Sequence, residues 1–164
     1  MFARLLLRDL VISALVVAGW YYGAEWTEGA GPVADALGVG LGVTGGLVAY
    51  LAHEWGHLLG ALATGSRVHA PDRMTSGFLF SFDSQANSRK QFVIMSLAGF
   101  VVTGIAIAVV YALLPDRYLA TRVARGAVLS LSFLTVFVEV PILIWSVLSG
   151  STLPQVEVFQ PDRG

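Results

Sequence analysis

Two histidines with three residues between them, the first followed at once by a glutamate, stand at His53-Glu54-Trp55-Gly56-His57. On a helix, positions four apart share a face, so both imidazoles can reach a single metal ion. Glu54 lies beside them, where it can take the proton from a water held on that metal. This is the HExxH arrangement, and its chemistry is zinc-dependent hydrolysis. The chain has 3 histidines in all, so the motif uses two of them. The bland alternative is a set of unrelated side chains satisfied by neighbours on the helix. It is weakened by the apolar surroundings, because an ionisable carboxylate in such a segment usually marks a site.

Two imidazoles do not complete a catalytic zinc site, which generally has three protein ligands and an open position. Glu139 is the expected third ligand, being the only formally charged residue between Arg125 and Glu157. Ser132 and Thr135 precede it by seven and four residues and fall on the same helical face, forming a polar stripe. Pro141 follows two residues later and weakens the helix locally, which gives the carboxylate freedom to reach inward. A neutral Glu139 hydrogen-bonded to another helix is the competing reading. Asp72, Asp83 and His69 are loop alternatives for the same ligand position.

These residues need helices to carry them, and the composition says in what solvent. Of 164 residues 55% are hydrophobic and 13% are charged, with a mean hydropathy of +0.72. A water-soluble domain would carry nearer a quarter charged residues, so a lipid-facing surface is expected, with the bilayer as a partner. The net charge of -1 offers no basic surface for nucleic acid. With no cysteine there is no disulfide framework, thiolate metal site or cysteine nucleophile, so any metal must use histidine and carboxylate.

The fold class predicted is an all-α polytopic membrane protein. Its four transmembrane helices, at about 5–24, 38–63, 90–114 and 124–149, form one integral membrane domain over 1–164. Charge-free stretches locate the spans: Leu10 to Ala24 and Gln91 to Pro115 hold no charge, and Glu54 is alone between Asp35 and Arg67. Trp20, Tyr21, Tyr22 and Trp26 fit an aromatic belt after the first span. A cleaved signal peptide is the other reading of that segment, but no clean small-x-small site precedes the aromatic cluster. Gly38, Gly42 and Gly46, then Gly56 and Gly60, recur every four residues, so neighbouring backbones can approach the histidine face closely. Packing alone explains them. Ser88-Arg89-Lys90-Gln91 fits a capping box at the start of the third span.

Orientation follows from the basic residues. With the N-terminus cytoplasmic, Arg4, Arg8, Arg67, Arg73, Arg89, Lys90 and Arg163 lie inside and Arg117, Arg122 and Arg125 outside. Both termini are therefore expected in the cytoplasm. Between the second and third spans a short hairpin-like loop is expected. Phe78-Leu79-Phe80-Ser81-Phe82-Asp83 alternates as a strand does, and an edge strand there could hold an extended peptide. An amphipathic loop at the interface is the equal alternative.

The chain resembles the site-two intramembrane zinc metalloproteases, as a divergent, minimal member. The likeness rests on His53-Glu54-Trp55-Gly56-His57 in a membrane helix, on Gly65-Ser66-Arg67-Val68 with the hairpin-like stretch after it, and on Leu97-Ala98-Gly99 in the next span. It covers roughly Val48 to Leu114 and the fourth span more weakly. Family members usually have a proline where this chain has Phe100, and an Asn-Pro and Leu-Asp-Gly motif where it has Glu139-Val140-Pro141. The resemblance implies a three-helix core, zinc on His53 and His57, Glu54 as base, and cleavage of transmembrane substrates. A second class of function is a catalytically silent subunit of the same fold that binds or assembles with other membrane proteins. A haem or metal-ion carrier is a third, though two histidines on one helix cannot supply both axial ligands of one haem.

Overall fold

The computed structural model describes residues 1–149. The expected C-terminal position, with Arg163, lies outside them. The chain builds α1 (Phe2–Gly23), a short 3-10 turn (Ala24–Thr27), α2 (Pro32–Ala63), β1 (Val68–His69), β2 (Ser81–Phe82), α3 (Arg89–Leu113), α4 (Leu119–Leu134), a π-helical turn (Thr135–Glu139) and α5 (Val140–Leu148). Helix α4, the π turn and α5 run on as one rod, Leu119–Leu148. Among the described residues, three helices are long and apolar enough to cross a membrane: α2, α3 and this rod. The first expected span is helical, but the helix that carries it, α1, also takes in Arg4, Arg8 and Asp9 and is not one of the three. The helices that carry the expected second and fourth spans begin earlier than the charge pattern suggested, at Pro32 and Leu119, so Asp35 and Arg122 belong to helices.

Helix boundaries follow from local chemistry. Gly31, at φ 133, turns the chain into α2, and Pro32 occupies the first turn, where its missing N–H costs nothing. At the other end Gly65 adopts φ 64, and the N–H groups of Ser66 and Gly65 close on the carbonyls of Ala61 and Leu62 at 2.9 and 3.0 Å. That is a Schellman cap, with glycine at the left-handed position that other residues avoid. The expected capping box opens α3: Ser88 Oγ accepts from the Gln91 amide, and Gln91 Oε1 accepts from the Ser88 amide at 2.7 Å. Gln91 Nε2 also donates to Thr64 O at 3.0 Å, tying the start of α3 to the end of α2. Leu114, before Pro115, is extended and ends α3. Arg125 from α4 then serves its orphan carbonyls, donating to Val110, Tyr111 and Leu114 and pairing with Asp116.

Helix α2 is the central element, packed on α3 along one part and on α4 along another. Glycine makes this possible. A Cβ at Gly42 would stand 2.4 Å from Val123, and one at Gly46 would stand 2.5 Å from Ala127, both on α4; one at Gly60 would stand 2.6 Å from Ala98 on α3. The glycines thus divide between two partners, and the close approach brings both neighbours to the histidine face. Between α2 and α3 the hairpin is minimal: β1 and β2 pair antiparallel, Val68 with Phe82 and His69 with Ser81. The expected strand over 78–83 is confined to two residues.

Candidate metal centre

His53 and His57 stand on adjacent turns of α2, 1% and 9% exposed, with their rings edge to face at 4.4 Å between centroids. Helix α3 fixes both rings from behind. His53 Nδ1 lies 2.8 Å from Thr103 Oγ1 and 3.2 Å from Gly99 O, and His57 Nδ1 lies 3.0 Å from Met95 O. A carbonyl can only accept, so each Nδ1 carries the proton and donates it, and each Nε2 presents a lone pair to the interior. Gly99 is what lets α3 come so near: a Cβ there would lie 2.2 Å from the His57 ring. The ring is already held by Met95 O, so it has nowhere to retreat.

The two Nε2 atoms are 3.0 Å apart, and Glu139 meets them, Oε1 at 3.1 Å from His53 Nε2 and Oε2 at 3.3 Å from His57 Nε2. The π turn delivers this carboxylate. Pro141 has no N–H to give to the carbonyl of Phe137, and the preceding turn widens to a π form over Thr135–Glu139. Among the described residues, His53, His57 and Glu139 form the one group of three or more His, Cys, Asp or Glu residues whose ligand atoms converge. Two imidazole lone pairs and a carboxylate facing one another repel unless a cation lies between them. Ligand atoms about 2.1 Å from a tetrahedral ion are roughly 3.4 Å apart, a little wider than the 3.0 to 3.3 Å found here. His53, His57 and Glu139 could therefore form a metal site, and the donor set suits zinc.

The loop alternatives for the third ligand lie apart from this group. Asp83 accepts from the amides of Ala86 and Gln85 at 2.9 and 3.1 Å and faces His69 at 3.5 Å. The Ala86 bond, then His69 and Gln85, hold its carboxyl below the usual aspartate range. Asp72 is exposed and lines a separate surface depression with Pro71 and Arg73. Of the polar stripe, Ser132 Oγ turns back to Val128 O at 2.8 Å, and Thr135 is buried with its hydroxyl unpaired.

Glu54 is 9% exposed and faces a cleft of about 340 Å³ that also opens onto His57 and Glu139. The backbone amide of Leu79 lies against its carboxylate. Phe78, Phe80 and Phe82 from the loop and Phe92 and Met95 from α3 wall the cleft, with Val138 and Ile142 opposite. The sequence reading gave the 78–83 segment a peptide-holding role through its backbone edge and not through its aromatic side chains, and missed Thr103, Gly99 and Met95 as supports of the histidines. Thr103 had a signal, as a hydroxyl in an apolar span. The carbonyls of Met95 and Gly99 had none, because any residue supplies one.

This arrangement has two imidazoles and a carboxylate converging on one point, a second carboxylate beside them, and an apolar cleft in front. Residues 46–150 match the family model described as "Putative zincin peptidase" (DUF3267). That stretch holds the HExxH motif, the hairpin, Glu139, the second half of α2, and α3 to α5. No curated protein and no solved structure matches the chain.

Proposed function

The chain belongs to the putative zincin peptidase family, a family that implies zinc, and from that premise we propose that it is an intramembrane peptidase of the site-two type. In this reading His53, His57 and Glu139 hold zinc, Glu54 is the general base, and the substrate is a segment of another membrane protein. The observation that carries it is the convergence of His53, His57 and Glu139 within a group of apolar helices.

Zinc bound there would lower the pKa of a water and polarise a scissile carbonyl. The protein's own residues do the rest. Thr103, Gly99 and Met95 keep both imidazoles in the tautomer with Nε2 inward, so no proton must leave before the ligands act. Glu54 stands outside the ligand trio and facing the cleft, free to accept the proton of the attacking water and return it to the leaving amine. The aromatic wall takes an apolar stretch of substrate and excludes bulk water from around Glu54. Phe100, where relatives of the site-two type carry proline, lies with its ring centroid 6.3 Å from that of His57 and packs beside the centre.

Elemental analysis of the purified full-length protein tests the metal side of this reading. Close to one zinc per chain is expected, released by a strong chelator and regained on adding zinc. Protein that is metal-free and takes up no added zinc would exclude it.

We also take α1 as a fourth crossing and, on the strength of the seven basic residues assigned to that side, place both termini in the cytoplasm. The hydrogen bonds from Arg8 to the α2–α3 loop are compatible, since they require the start of α1 and that loop to share a side. A single cysteine introduced at Glu28, in a chain with no native cysteine, should react with an impermeant reagent from outside. Labelling only after the cytoplasmic face is opened would reverse the orientation.

A further inference from the structure

Arg8 and Asp9 lie on α1, outside the stretch that matches the family, and the zinc chemistry makes no use of them. They are nevertheless bonded to the loop that walls the cleft. Asp9 is 4% exposed, and both its oxygens are taken: Oδ1 by Arg8 Nε at 2.7 Å and Oδ2 by the indole N–H of Trp55 at 2.8 Å. A buried aspartate is costly unless paired in this way, and here the pair orients the guanidinium. The outer nitrogen of Arg8 then donates to the carbonyls of Met74 and Ser76, the latter at 3.2 Å. From α2 the Tyr50 hydroxyl donates to Gly77 O at 2.9 Å.

Three carbonyls within four residues are thus fixed to helices, and the chain goes directly from them into the cleft. Phe78 and Phe80 line it, and Leu79 between them is fully buried with its amide on Glu54. Trp55, the other partner of Asp9, is the residue after Glu54 in the motif. A polar path therefore runs from α1 through Asp9 to the motif, and through Arg8 to the loop that covers it. Because the bonds go to backbone carbonyls, they fix the path of the loop rather than its sequence.

We propose that Arg8, oriented by Asp9, is a positioning residue that clamps the 74–77 loop, so that α1 braces the wall of the cleft from outside it. Its effect on cleavage rests on the peptidase reading; its effect on the loop does not. An Arg8 that merely reached for lipid headgroups would leave the loop indifferent to its removal.

The test uses the full chain in detergent micelles and compares wild type with Arg8→Met, Arg8→Lys and Tyr50→Phe, reading zinc content, amide hydrogen exchange and peptide cleavage. Arg8→Met keeps the side chain's length but removes its donors. It should retain zinc, while amides from Arg73 to Phe80 exchange about ten- to a hundred-fold faster, the loss expected for charge-assisted hydrogen bonds. Cleavage should fall with it, and Arg8→Lys, which can still reach one carbonyl, should recover part of both. Tyr50→Phe removes a single hydroxyl and should speed exchange from Gly77 to Leu79 by a smaller factor, which provides a reading even where Arg8→Met does not fold. Unchanged loop exchange in the variants that fold would overturn the clamp. Faster exchange with undiminished cleavage would overturn the positioning role. Exchange needs no substrate, so a chain that cleaves nothing would count against the peptidase reading while exchange still decides the clamp.

Discussion

Replacing Glu54 by glutamine is expected to leave zinc content at the wild-type level and to reduce cleavage of a membrane substrate by about a hundred- to ten-thousand-fold, the range general-base assistance supplies. Glu54 is not one of the three residues whose possible ligand atoms converge, His53, His57 and Glu139. Glutamine keeps its size and an oxygen to accept the Leu79 amide, so the loop should stay in place. What it loses is the capacity to take a proton. Cleavage measured on purified protein, alongside zinc content, separates this from structural damage. A silent subunit of the same fold would behave otherwise: Glu54→Gln would support a cell as well as wild type, and no co-purifying membrane protein would change length on an immunoblot. Equal function with zinc still bound would remove the peptidase reading and leave only the fold and the metal.

The parts of this site that were legible in the sequence are those written as local spacing. His53 and His57 share a face because four residues exceed one helical turn only slightly, and no tertiary contact is needed to know it. Glu139 stood out by charge alone, against a long apolar background. The capping box at Ser88 is likewise a four-residue statement. Pro141 announced a weak point in the last span, although not that the helix would widen to a π turn, since a kink or a break would satisfy the same lost hydrogen bond. Asp9 was illegible for another reason. Next to Arg8 at the start of an apolar run it reads as part of a charged flank, and only the packing of α1 on α2 turns it inward to Trp55. The aromatic loop was ambiguous because its alternation suits a strand, and the bonds that hold it instead, from Arg8 and Tyr50, come from residues 66 to 68 and 27 positions away.

Glu139→Gln is expected to cost the protein its zinc. Each oxygen of this carboxylate faces one imidazole nitrogen, and the two histidines alone would leave the ion two protein ligands where a catalytic zinc has three. A carboxamide is neutral, and it is a far poorer ligand for zinc. Changes merely to groups behind a ligand reduce affinity by about ten- to a hundred-fold, so loss of the ligand itself should exceed roughly a hundred-fold. Competition with a chelator of known affinity would measure it, and at modest chelator concentration wild type should hold its zinc while Glu139→Gln releases it. The comparison needs Asp83→Asn and His69→Ala beside it. Those residues face each other at 3.5 Å in the hairpin, and Asp83 is committed to the amides of Gln85 and Ala86. Both variants should therefore keep their metal. If instead Glu139→Gln holds zinc as wild type does and Asp83→Asn releases it, the carboxylate ligand comes from the loop. The π turn before Pro141 would then need another explanation, because its evident effect is to bring Glu139 to the histidines.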